Sequence, residues 1–176
     1  MKITGVVRRI DELGRIVIPK EIRKNMRIKN GDSLEIFLND EDIVLKKYSP
    51  IETLENVLDN YVDSFNQVMK HNIIVTDRDR VIAMAGSLKK KYIGKSISDF
   101  TDRSIERRDS FVERQKKNVN FFEDIFEQCY YSFCSIVNNG DAIGSVIILS
   151  TEIPIADSEE KMAVILSKIL SKHFVD

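Results

Sequence analysis

Cysteine is nearly absent from this 176-residue sequence: Cys129 and Cys134 are the whole complement. Two thiols without a nearby histidine make neither a disulfide framework nor a metal-ligand set, so they are expected to be buried small apolar side chains in a reducing compartment. Long apolar runs are lacking as well. Val146 to Leu149 is among the longest, against the roughly 20 residues that a spanning helix needs, and the start MKITGVVRR has no signal-peptide apolar stretch. A cytoplasmic location is the expectation. No long polar or repetitive tract interrupts a composition that is 43% apolar and 31% charged, which excludes a disordered chain and fits an ordinary globular one. Catalytic motifs are missing too. There is no Gly-rich phosphate loop and no HExxH, and His71 and His173 have no Ser, Cys or carboxylate at a recognised spacing. The sequence therefore predicts no enzyme, no metal and no cofactor.

Net charge of one sign is also absent, at −1 overall, but the average hides an asymmetry. Residues 1–30 hold nine basic side chains (Lys2, Arg8, Arg9, Arg15, Lys20, Arg23, Lys24, Arg27 and Lys29) against Asp11, Glu12 and Glu21, an excess of six. The rest of the chain sums to −7. A cationic end on an acidic chain suits a phosphate-binding face, although a merely solvated basic surface has the same composition. The pattern beneath the charge is ITGVVRRI as a strand, DELG as a turn and RIVIP as a second strand closed by Pro19. KEIRKNM follows as a short helix up to the Gly31-Asp32 break. SLEIFL and IVLKK then make a second hairpin across NDED. Two hairpins and a short helix bury too little for a comfortable monomer without disulfide or metal, so dimerisation is expected.

Residues 4 to 50, TGVVRRIDELGRIVIPKEIRKNMRIKNGDSLEIFLNDEDIVLKKYSP, resemble the DNA-binding domain of AbrB-type transition-state regulators almost position for position. The resemblance implies a swapped-hairpin β-barrel in which hairpins of two chains interleave. It also implies double-stranded DNA as partner, contacted by Arg8 and Arg15 flanking the turn and by Arg23 and Lys24 on the helix. Arginine is usual in that family at the position of Lys24. Lysine keeps the charge and loses the planar fork that grips a phosphate or guanine in two places. Related swapped-hairpin folds also serve toxin neutralisation, so an antitoxin-like interaction module is the alternative; it would need a tail that folds on a toxin.

Beyond Pro50 the pattern changes to a helix with Ile51, Leu54, Leu58, Tyr61, Phe65 and Val68 on a heptad-like seam. The seam suits packing on the chain's own sheet or on another chain, and residues 51–70 are read as a connecting and dimerising helix. From His71 strands and helices alternate. NIIVTD and RVIAMAG read as strands, SLKKKYIG and SDFTDRSIERR as helices, YYSFCSIV and DAIGSVIILS as a hairpin, and Ser158 to His173 as the last helix. Residues 71–176 are thus expected to form an α+β domain with an antiparallel sheet, whose element order resembles a GAF-type sensory domain. The aromatic set Phe100, Phe111, Phe121, Phe122, Phe126, Tyr130, Tyr131 and Phe133 fits either core or the lining of a pocket for a small effector. The full length and the two-domain order are similar to a family of regulators of late spore development. That resemblance implies a DNA-binding transcription regulator, nucleoid-associated and assembled as a dimer of dimers through its C-terminal domains.

Overall fold

A computed structural model of the chain describes residues 5–174, and Lys2 and the start of the expected first strand lie outside them. The chain divides into two compact units, Met1–Tyr48 and Ser49–Asp176. In the first, the helix α1 (Lys20–Asn25) begins directly after Pro19, whose missing N–H costs nothing at a helix start. It ends where Arg27 turns left-handed at φ 52° and the Ile28 amide donates back to the Arg23 carbonyl at 2.8 Å. Strands β1 (Leu34–Asn39) and β2 (Asp42–Lys47) pair antiparallel, and Ile36 faces Leu45 while Leu38 faces Ile43. The tight turn between them rests on Asp40 at φ 51°.

The first expected hairpin departs from its reading. Its turn forms, but among the described residues no ladder joins the segments on either side of it; only the Asp11 amide bonds the Arg15 carbonyl, at 3.1 Å. The reason lies in burial. Val6, Val7, Ile10, Leu13, Ile16 and Val17 are all exposed, so nothing within this chain gives these segments an apolar surface to lie on.

The second unit is built on a five-stranded, wholly antiparallel sheet in the order β4-β3-β7-β6-β5. Its strands are β3 (Asn72–Thr76), β4 (Val81–Ala85), β5 (Ser110–Phe122), β6 (Ile125–Asn138) and β7 (Asp141–Ser150). Strands buried on both faces read as near-continuous apolar runs, as the central β3 and most of β7 do, and as β4 does although it is an edge strand. The long helices α2 (Glu55–Met69) and α5 (Asp157–Lys172) belong to the core on one face, with Ile73, Val75, Ile136, Val146 and Ile148. The short helices α3 (Lys89–Tyr92) and α4 (Asp99–Glu106) contribute Tyr92 and Ile105 to the core on the other, with Ile74, Met84, Phe133 and Ile147. Ser98 caps α4, its Oγ accepting the Thr101 amide at 3.2 Å.

In this half one open reading is decided and one strand is added. The seam of α2 and the turn before it faces the chain's own sheet, because Ile51 and Leu58 are fully buried and Leu54, Tyr61 and Phe65 pack on the same core. Only Val68, 73% exposed, points away. Strand β5 was not expected at all: its middle, ERQKKN, reads as loop because the charges of an edge strand mask the alternation beneath.

Candidate nucleic-acid interface

The turn that carries Arg15 is organised by Asp11. Its Oδ1 accepts the amides of Leu13 at 3.0 Å and Arg15 at 2.8 Å, the Asx-turn use of a short carboxylate. Gly14 completes the turn at φ 74°, in the left-handed region that an L side chain avoids. Asp11 Oδ2 takes the Arg15 Nε at 2.8 Å, so the guanidinium is folded against its own turn while 72% of the side chain stays exposed. The Arg15 amide, and then its guanidinium, hold the Asp11 carboxyl below the usual carboxylate range. Sequence reading counted Asp11 only among the opposing charges; the signal for its role was an Asp four residues before an Arg across a glycine turn.

Arg8 and Lys24 are exposed, and neither side chain has a hydrogen-bond or ion-pair partner among the described residues. Arg23 is half-buried. Its Nη1 lies 3.5 Å from Asn30 Oδ1, and its buried Nε has no partner. A guanidinium left with unfilled donors at the edge of a basic segment retains the capacity to take an anion. The loop after α1 is tied to β2 by Lys47, whose Nζ reaches Asp32 Oδ2 and the Arg27 carbonyl, both at 3.3 Å. Unit 1 therefore presents Arg8, Arg15 and Lys24 to solvent, with Arg23 partly withdrawn.

Elsewhere the two histidines and the two cysteines are held within the fold. His71 is buried with Nε2 3.0 Å from Glu159, and His173 Nε2 lies 3.0 Å from the Tyr61 hydroxyl. Cys129 and Cys134 are buried free thiols, and burial pushes Cys129 up to about 12. Among the described residues no cluster of His, Cys, Asp and Glu could hold a metal, and no helix is long and apolar enough to cross a membrane. Most of the aromatic set is core. Phe121, Phe122, Tyr131 and Phe133 are buried, Phe111 stacks on Phe133 at 5.0 Å, and Phe126 is exposed.

The model of the family "Stage V sporulation protein T C-terminal, transcription factor" matches residues 53–175. Stage V sporulation protein T of Bacillus subtilis is 45% identical over 163 residues, covering 92% of each chain. The chain belongs to the stage V sporulation protein T family. A second model, for the antidote-toxin recognition protein MazE, a bacterial antitoxin, matches residues 7–53. Over 55 residues the chain is 54% identical to the transition state regulatory protein AbrB of Bacillus subtilis, covering 31% of this chain and 57% of AbrB. Among solved structures, the GAF domain of an Acinetobacter phosphoenolpyruvate-protein phosphotransferase is similar at TM-score 0.57 and 14% identity, over 72% of this chain and 82% of that one. The GAF domain of the nutrient sensor CodY from Clostridium difficile gives 0.52 and 13%, over 89% and 94%. These two likenesses establish the fold of the second unit. The chain is α+β, AbrB-like followed by GAF-like, as the sequence implied.

Proposed function

We propose that the chain regulates late sporulation genes by binding duplex DNA through a dimer of its first unit, with Arg8, Arg15, Arg23 and Lys24 of each copy on the DNA face. In this scheme residues 1–50 read DNA, 51–70 connect, and 71–176 oligomerise or sense an effector. Membership of a transcription-factor family supports the regulatory role. The observation that carries the assembly is burial. Pro19 is the only buried residue described in unit 1, while Val7 is 91% and Leu38 83% exposed. Covering such side chains is worth on the order of 1.5–3 kcal/mol each, and a second copy with its own bare segments can supply both the surface and the missing ladder. Swapped hairpins satisfy both needs at once. A DNA-binding protein of this kind works in the cytoplasm on the nucleoid, catalyses no reaction, and reaches a tetramer through its second units.

The MazE match favours one other reading, a toxin-binding module. Against it, the chain continues from that segment into a folded unit rather than a tail available to wrap a partner.

Filter binding to duplex DNA across a salt series tests the main reading. Eight phosphate contacts per dimer give a log–log salt slope of about −7, from roughly −0.9 each. Arg15→Ala lowers affinity and flattens that slope by about 2, with the dimer intact by sedimentation. Binding to DNA unaltered by that substitution would remove Arg15 from the interface.

A further inference from the structure

The aromatic face of the GAF-like sheet is filled by the chain's own Phe121, Phe122 and Phe133, each about 2% exposed or less. An open cleft lies on the opposite face. A cleft of about 200 Å³ lies between α5 and the start of β5, lined by Arg108, Asp109, Ser110, Cys134, Val164 and Lys168, with Ser135, Val137, Ser167 and Ser171 completing its wall. It is smaller than the roughly 300–1,000 Å³ of drug-sized sites, which restricts an occupant to a small metabolite.

Two charged side chains of this cleft have no protein partner among the described residues, the exposed Lys168 and the half-buried Asp109. The Lys168 ammonium and the Asp109 carboxylate make no hydrogen bond or ion pair among the described residues, with each other or with anything else. The Ser110 and Ser171 hydroxyls are likewise unbonded. By contrast, Ser167 and Ser135 are spent on the fold, donating to the carbonyls of Val164 at 2.8 Å and Ser104 at 3.3 Å. Arg108 uses one donor on the Gly140 carbonyl and keeps the others. The rim is rigid. Asp109 is pinned on both sides, its amide to Ser104 and its carbonyl to the Ser135 amide, both at 3.0 Å, and Arg108 before it sits at φ 59°. Lys168 and Ser171 stand three apart on α5, one above the other on the same side.

We propose that this cleft binds a small organic acid that also carries a hydrogen-bond donor, an α-amino or α-hydroxy acid. The carboxylate is received by Lys168 and the free donors of Arg108, and the ammonium or hydroxyl donates to Asp109. A short apolar side chain rests on Val137 and Val164. A plain inorganic anion is a poor fit, since Asp109 would be left facing it. The assignment stands whether or not the first unit binds DNA.

Calorimetric titration of the full chain with the twenty common amino acids, the matching α-hydroxy acids and inorganic phosphate tests the assignment. At least one organic acid is expected to bind, and phosphate is not. Lys168→Met, at an exposed position, weakens that binding by about tenfold, the loss of one charge-assisted hydrogen bond. Asp109→Asn weakens the amino acids more than the hydroxy acids, because only the ammonium loses an ion pair. Absence of binding across the whole panel, phosphate binding as tightly as the acids, or a Lys168→Met chain that binds like the parent would each overturn the proposal. Should Asp109→Asn not fold, the Lys168 result decides alone.

Discussion

Asp77 shows how a single buried carboxylate holds a turn. Its Oδ1 accepts the amides of Asp79 and Arg80, both at 2.7 Å, and its Oδ2 accepts the Ser49 hydroxyl at 2.8 Å. Burial nevertheless outweighs these three donors and pushes the carboxyl above its ordinary value of 3.8. A carboxyl raised on folding favours the protonated native state, so its contribution is complete below 3.8 and is lost as pH rises through the folded value. Asp77→Asn does not titrate. Urea unfolding of both proteins over a pH series is therefore expected to show the parent's advantage shrinking as pH rises from 3.8, then levelling once Asp77 is ionised. A constant difference would mean that the site ionises as freely folded as unfolded. The Asp77-Arg78-Asp79 turn was legible in sequence, because turn residues announce themselves. The partnership with Ser49, 28 residues away, was not, since no local pattern encodes it.

At the scale of elements, α2 separates what periodicity reveals from what it leaves open. Spacing placed Leu58 and Phe65 on one apolar side, but a helix pattern does not say which surface that side meets. Leu58 is fully buried over the sheet, so Leu58→Ala is expected to cost about 2–5 kcal/mol in chemical denaturation. Val68→Ala, at a 73% exposed site, should stay within about 0.5 kcal/mol. Equal effects would return the seam to a partner chain. Strand β5 was hidden for a different reason. It lies at the sheet edge, where Arg114 binds Asp157 and Glu160 of α5 at 2.6 and 2.5 Å and Lys117 pairs with Glu113. Charge on an edge guards it against pairing with other chains, and the same charge erases the strand signal. The β6–β7 hairpin was readable because Asn139 and Gly140 both sit at positive φ, the turn that an Asn-Gly pair favours.

For the whole molecule, the two units differ in how much apolar core each builds from its own residues. The GAF-like unit has a core on each face of its sheet. Unit 1 has almost none, and under the proposed assembly its unfolding midpoint is expected to rise with protein concentration. Thermal melts of the full chain at several concentrations, followed by exchange of amides in β1 and β2, would show the dependence; concentration-independent protection there would indicate a self-sufficient unit. The identity of this unit was legible from an ordered set of local signals, the DELGR turn, the Pro19 stop and the Gly31-Asp32 break. Its ladder was not visible within one chain, because the hydrogen-bond partners of residues 5–10 and 15–19 are not supplied by their neighbours in sequence.

The Asp11–Arg15 pair bears on how the arginine would meet a phosphate on the proposed DNA face. Asp11 Oδ2 takes only the Nε donor of the guanidinium, at 2.8 Å, and leaves the Nη fork open to an anion. The turn thus aims the side chain from below while its outer edge stays free, so an incoming phosphate has no resident carboxylate to displace.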